Sequence, residues 1–439
     1  MCRARVEGRL FYGYEEEMTK GGGLLQLVAV GKQDVYLTGN PSISFFKKVY
    51  RRYTNFAIES KRMYFDGSPD FGQRFTCLVP RAGDLLGPLF LEIELPAVYF
   101  TDGAQAAYVN GIGHALIKEI SIQVGEQEID KQTGEYMHLN YLLSTDAAKL
   151  PAYRTMIGEM EGYEPMGISG PVSLIVPLHF WFNKSPGSYL PLLALQYHPI
   201  RINVQLRPLK ELIYYSGSDH PVTCNDNLPL APAHITSFNM WGDYVYLDVM
   251  ERRRFVSTPI EYLISQVQWT PRTLIPYSAI AGSIDLNFNH PLKELIWVLQ
   301  RSVAAEKNQI FNYSSLALGE AGTRTDLYTD ATLQLDSEDR FEKRGPKYFR
   351  IVQPYQHHTN IPYLNFINNY SFALNPEDLQ PSGSLNASRI DNIKLNMTMN
   401  NTAADYPGGL RGDTYCVVYA VNVNVFRVVD GFGGVLFSV

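Results

Sequence analysis

Glu92 and Glu94 stand two residues apart in PLFLEIEL (Pro88 to Leu95), and paired carboxyls about 5 to 9.5 Å apart are the machinery of glycoside cleavage. Alternate residues of a strand project from one face at about that spacing, so the pair could act together. The plainer reading is a solvated strand face, because Leu89, Leu91, Ile93 and Leu95 alternate with the acids as a core face. His357 and His358 are adjacent and would point to opposite faces of a strand, the wrong arrangement for a cupin-like metal site. Cys2, Cys77, Cys224 and Cys416 lie far apart with no paired spacing, so they predict neither a zinc site nor a disulfide framework and fit a reducing compartment. There is no G-x-S-x-G and no phosphate-cradling loop ending in Lys-Ser or Lys-Thr; Gly21 to Gly23 reads as a flexible lead-in. The expectation is a protein without catalytic residues, cofactor or metal.

Binding motifs come next. Lys47, Lys48, Arg51 and Arg52, interleaved with Tyr50, Tyr53 and Phe56, could grip phosphates while the rings stack on bases. Phe45, Val49, Tyr53 and Phe56 fall at helical spacing, however, which makes the rings a core stripe and the cations a solvated or interface face. The whole chain, with 38 basic against 44 acidic side chains and a net charge of -6, does not suit a polyanion as main partner. Sequons at Asn312, Asn369, Asn386, Asn396 and Asn400 would take glycan only in the secretory lumen. The N-terminal Met1 to Glu17 lacks the apolar core of a signal peptide, so that route is not expected. Arg411-Gly412-Asp413 is the tripeptide of integrin ligands and falls in a predicted loop, where an ordinary turn explains it equally well.

The elements that would position these residues are strands. Aromatic residues make up 13% of the chain, and 34 Gly with 26 Pro punctuate it, a mixture that favours short strands and turns over helical bundles. Period-two alternation marks Leu89 to Leu95, Ile120 to Val124, Ile202 to Leu206, Leu333 to Leu335, Ile393 to Met399 and Tyr419 to Val425. Helix is expected at Asp146 to Glu161 and, briefly, at Phe45 to Phe56. Long loops are expected at 133–171, 207–236, 300–330 and 400–414, the first two extending to the outer surface.

The chain also resembles itself. Pro88 to Leu95 matches Pro291 to Val298, IQVGEQEIDKQTGEYM (from Ile122) matches LQLDSEDRFEKRGPKYF (from Leu333), and the segment from Phe180 matches that from Ser371. The three matches are collinear at offsets of about 190 to 210 residues, too long for a solenoid unit, and predict one β-domain type used twice. The boundary is expected between Asp248 and Glu261, where Glu251 to Arg254 and then Pro259 interrupt the strands. Many short strands per half point to sandwiches, jelly rolls among them.

A family resemblance rests on GGLLQLVA (Gly22 to Ala29), QDVYLTGNP (Gln33 to Pro41), FFKKVYRRYTNFAIES (Phe45 to Ser60), LPLLALQYH (Leu190 to His198), ERRRF (Glu251 to Phe255), LNFNHP (Leu286 to Pro291), VQPYQ (Val352 to Gln356) and SRIDN (Ser388 to Asn392). In these words the chain resembles the major capsid proteins of nucleocytoplasmic large DNA viruses, nearest to the phycodnavirus and mimivirus branch. The resemblance implies an all-β fold of two tandem eight-stranded jelly rolls, a double jelly roll that forms a pseudo-hexagonal trimer. It implies an arm at 1–45, rolls at 46–248 and 261–439, and a linker at 249–260. The implied partners are the chain itself as a homotrimer, neighbouring capsomers, and minor capsid and penton proteins, with no sequence-specific nucleic acid and only indirect contact with the inner viral membrane. The implied location is the virion shell, assembled in the host cytoplasm. Family members usually begin where Met18 stands, so Met1 to Glu17 reads as an upstream start or a real extension. Two other classes compete with this reading: a carbohydrate-binding or carbohydrate-cleaving tandem sandwich, and a membrane-shaping scaffold of the same double-barrel type, absent from the mature particle.

Overall fold

The computed structural model describes residues 22–99, 106–160, 171–215, 233–317, 320, 322–401 and 412–438. It divides into a unit ending at Tyr53 and a unit from Thr54 to Val439. Within the first, Gly22–Val28 and Lys32–Thr38 form two short helices, and Leu24, Leu25, Leu27, Val28, Tyr36, Leu37, Phe45 and Phe46 are exposed. The helix expected over Phe45 to Phe56 is not there: the segment is irregular and feeds an extended strand from Phe56. Helical spacing of aromatic residues does not suffice where no core receives the stripe, since short helices gain most of their stability from packing.

Sixteen strands of the second unit fall into two sets of eight, with the short strands Ala106–Tyr108, Ile213–Tyr215, Thr273–Ile275, Leu385–Asn386 and Phe432–Val435 standing outside the sets. In the first set, β1 (Phe56–Met63), β2 (Arg74–Leu78), β3 (Leu85–Leu95), β4 (Ile117–Val124), β5 (Gln127–Thr133), β6 (Val172–Pro177), β7 (Ile200–Leu206) and β8 (Ser237–Leu247) make antiparallel sheets of order β1-β8-β3-β6 and β2-β7-β4-β5. The second set is β9 (Ile260–Trp269), β10 (Ala281–Asp285), β11 (Pro291–Arg301), β12 (Tyr328–Leu335), β13 (Glu338–Asp339), β14 (Asn368–Ser371), β15 (Ile393–Met399) and β16 (Thr414–Val429). Its sheets run β9-β16-β11-β14 and β10-β15-β12-β13, the same order again. Each set is a jelly roll: two four-stranded sheets whose inner faces interleave into one core. All three internal sequence matches fall on strands of equal rank, β3 with β11, β4 and β5 with β12 and β13, and β7 with β15.

Alternation explains the cores. Leu89, Leu91 and Ile93 of β3 face Ile120 and Ile122 of β4 and Ile202 and Val204 of β7 in the first roll. Leu295, Trp297 and Leu299 of β11 face Leu333, Leu395 and Met397 in the second. The other face of β11 is buried too, because Ile296 and Val298 enter a third apolar cluster with Tyr136, Leu139, Leu142 and Leu143. A strand covered on both faces reads as a continuous apolar run, which is why Leu292 to Leu299 alternates poorly.

That cover comes from a helix, Gly134–Ser144, where a long outward loop was expected. Every residue from Tyr136 to Leu143 is buried, so the segment carries no amphipathic stripe by which sequence could have announced it. A second helix, Leu150–Ile157, lies inside the expected Asp146 to Glu161 span, and Val249–Ser257, within the expected linker, is also helical. Parts of the expected loops at 133–171, 207–236, 300–330 and 400–414 lie outside the described residues.

Gly134 fixes how the first helix enters. Thr133 caps it, its hydroxyl accepting from the Tyr136 N–H at 3.2 Å, and a Cβ on residue 134 would fall 2.1 Å from the His114 carbonyl oxygen and 2.2 Å from that of Ile117. Both obstacles are backbone of the first roll, so Gly134→Ala should displace the helix from its seat and destabilise by about 3 kcal/mol, the upper end for overpacking. Thermal melting checks this, and an unchanged midpoint would refute it.

Candidate functional site

The seam between the rolls is where the two halves of the sequence become one body. Helix Gly134–Ser144 packs Tyr136, Leu139 and Leu143 among Val267, Ile296, Val298, Tyr419 and Val421 of the second roll. Polar contacts pin the register: the Asp130 carboxylate accepts from the Val267 N–H at 3.1 Å, and the Gln266 amide donates to the Ile129 carbonyl. Asn360 donates through its backbone to Leu143 at 2.9 Å and through its side chain to Leu142 at 2.6 Å. The segment after β11 reaches back, with Asn308 donating to the carbonyls of Lys210 and Ile213, while Phe311 stacks on His138 at 3.7 Å between ring centres. At the C-terminal end the strand Phe432–Val435 lies against the first roll: the Val435 N–H donates to the Gln127 side chain at 3.1 Å, and His198 Nδ1 sits 2.8 Å from the Gly433 carbonyl.

The seam also buries ionisable groups. Burial pushes the Asp130 carboxyl up to about 7, although hydrogen bonds from Gln132 and from the Val267 and Lys131 N–H groups favour its charge. His358, its side chain 1% exposed, has Nδ1 at 2.9 Å from Glu377 and Nε2 at 3.0 Å from Glu294. Burial disfavours its charge, but the two carboxylates outweigh that and raise it to about 9. For Glu377, burial works upward, yet the bonds from His358 and Thr359 prevail and lower it. His138 and His179 are driven down to about 3 and His114 well below its ordinary value, in each case chiefly by burial. These three stay neutral in the folded chain, so acid works against the fold from about pH 6.5 downward. Tyr153 joins two of them, its hydroxyl 2.8 Å from His179 Nε2 and 3.3 Å from His114 Nε2.

Among the sequence candidates, only His358 belongs to the seam chemistry. Because it follows a helix, Gln353–His357, and is not in a strand, the objection that neighbouring histidines diverge does not apply to it; its partners are two carboxylates. Among the described residues no group of three or more His, Cys, Asp or Glu is placed to hold a metal ion. Glu92 accepts from the Trp241 indole N–H at 2.7 Å, and Glu94 is exposed beside it. Lys47, Lys48, Arg51 and Arg52 are exposed in the irregular segment. Asn312 is enclosed, its amide donating to Gln309 and Leu316, and Asn369 is fully buried at the β14 to β11 pairing. Asn396 bonds Gln334 and Ser283 across the sheet, Asn400 is buried, and Asn386 alone of the five is exposed. Of the Arg411-Gly412-Asp413 tripeptide, Arg411 lies outside the described residues, and the Asp413 carboxylate accepts from the Tyr277 N–H at 2.9 Å. Sequence reasoning missed Asp130, Glu294 and Glu377: the two glutamates meet at His358 through the folding of the second roll, and Asp130 meets Val267 where the first roll packs on the second.

Two like-ordered jelly rolls welded by a buried seam define a double jelly-roll capsid subunit. Residues 44–248 match the family model of the major capsid protein N-terminus, and 251–434 match that of the large eukaryotic DNA virus major capsid protein. The major capsid protein of Pyramimonas orientalis virus is 38% identical over 95% of this chain and 100% of its own length; that of Paramecium bursaria Chlorella virus 1 is 36% identical over 95% and 99%. The quasi-atomic model of the PBCV-1 virus capsid aligns with TM-score 0.75 at 31% identity, covering 90% of this chain and 100% of that one. The Faustovirus major capsid protein, at TM-score 0.71 and 11% identity over 91% and 94%, shares the fold. The chain belongs to the major capsid proteins of large eukaryotic DNA viruses.

Proposed function

We propose that this capsid protein works as a homotrimer, three chains giving six similar rolls around a ring and so a pseudo-hexameric block that tiles an icosahedral shell. The observation that carries the reading is the repeated strand order, joined by a seam that holds the two rolls in one orientation. The proposal divides the chain into rolls at 46–248 and 261–439 with a linker at 249–260. Neighbouring capsomers, minor capsid proteins and penton proteins are its partners, and the inner membrane is met only through them. Its role is structural, without a catalytic step. Assembly in the host cytoplasm accords with Cys77 and Cys416, which stand as free buried thiols. Light scattering on the purified protein should give three times the 49.7 kDa of one chain. A monomer at micromolar concentration in mild buffer would count decisively against the trimer.

A further inference from the structure

A cleft of about 280 Å³ opens on the seam, with walls from both rolls, and nothing in shell building accounts for its chemistry. Its floor is the outer face of two paired strands, Val298 opposite Val417 and Gln300 opposite Tyr415. The Gln300 amide donates to the carbonyls of Gln309 and Ile310, which turns its oxygen toward Arg272. That oxygen accepts from the Arg272 guanidinium, which also lies over the Tyr415 ring at 4.2 Å. Arg272 is therefore held in place, yet it faces no carboxylate among the described residues. The other guanidinium of the cleft, Arg207, is already answered by Glu135 at 2.5 Å and Glu211 at 3.8 Å. Tyr313, 4% exposed, also lines the cleft, and its buried hydroxyl has no hydrogen-bond partner. Such a group costs stability unless something arrives to bond it.

We propose that this cleft is a binding site for a single carboxylate, gripped by the free fork of Arg272 and bonded by the Tyr313 hydroxyl. Arginine offers five N–H donors, and a planar acid takes two in parallel. The charge of the lining favours a small charge on the ligand: Arg207 is answered by Glu135 and Glu211, so Arg272 alone is left to balance one negative charge, and the second charge of a phosphate dianion would go uncompensated. The volume suits an acidic side chain or a small organic acid and excludes a nucleotide. The carboxylate could come from a peptide segment of another protein or from a free acid, and the two sources separate in one experiment. The site lies within one chain, so the proposal does not depend on trimerisation.

Calorimetric titration of the full chain at low ionic strength uses three probes: a capped five-residue peptide of glycine and serine with one central glutamate, its glutamine counterpart, and butyrate, a free monocarboxylate. Saturable binding of the glutamate peptide, at least tenfold weaker for the glutamine peptide, is the expected result. Butyrate binding as tightly as the peptide assigns the site to free acids, and weaker binding assigns it to a protein segment. Arg272→Gln should cut affinity at least tenfold with no change in melting temperature, since the side chain is exposed. Tyr313→Phe should cut affinity several-fold while leaving melting unchanged or raising it, because it removes an unpaired hydroxyl. Equal binding of the two peptides, no saturable binding of either acid, or full affinity in Arg272→Gln would overturn the proposal. A lower melting temperature for Tyr313→Phe would do the same, by showing that the hydroxyl already has a partner.

Discussion

His358→Ala is expected to destabilise the folded chain by about 3–5 kcal/mol, the range for removing one member of a buried ion pair. The substitution leaves Glu294, whose side chain is 7% exposed, facing Glu377 across an empty space. The pH dependence separates this mechanism from mere loss of packing. The His358 imidazole is raised from 6.5 to about 9, so its contribution is fully present below pH 6.5 and is lost as pH climbs through 9. A difference of that size corresponds to about 3 kcal/mol. The gap in stability between wild type and variant should thus be widest near pH 6 and shrink by pH 9. Other groups shape the absolute profile but cancel in that difference. Burial raises Asp130 to about 7, a cost that grows from its ordinary 3.8 up to 7 and then stays level. Burial lowers Lys293 to about 8, which returns stability above that pH. Melting curves of both proteins from pH 5 to 9.5 make the measurement, and a gap independent of pH would show that His358 acts only as a space filler.

The seam marks the line between what was and was not legible. Strands such as β3 and β7 announce themselves because one face meets a core and the other meets water, and alternation records both facts. The duplication was legible as well, since equal strands in equal sheets keep similar patterns at a fixed offset. Helix Gly134–Ser144 was not, because burial on all sides erases the polar stripe that would give its period away. Gly134 carries the constraint of a close approach, but a glycine in sequence looks the same whether it bends a loop or fits against two carbonyls. The ionic cluster failed for another reason: Glu294, His358 and Glu377 stand far apart in the second half of the sequence and meet only when that roll folds, and Asp130 meets Val267 only where the first roll docks on the second. The basic and aromatic stretch at Phe45 to Phe56 misled in the opposite sense, because its helical spacing was real but had no surface to serve within its own segment.

The arm provides the second large effect. Every strand among the described residues lies between Phe56 and Val435, so a chain lacking residues 1–30 keeps both cores and the seam intact. It loses Leu24, Leu25, Leu27, Val28 and Val30, all exposed. Five clustered aliphatic side chains in water are unfavourable, each worth roughly 1.5–3 kcal/mol when fully buried, so a finished shell has reason to cover them. The exposed cations at Lys47, Lys48, Arg51 and Arg52 follow on the same segment and add charge to whatever contact the aliphatic residues make. Deletion of residues 1–30 should therefore leave the melting temperature and the trimer mass unchanged while cutting the yield of closed particles at least tenfold, because the same lost contact recurs at every copy. Electron microscopy of particles and light scattering of the soluble fraction read the two effects separately. Normal particle yield from the truncated chain would sink the idea, whereas loss of the trimer itself would place the arm in the fold of the capsomer and not in the joining of one capsomer to the next.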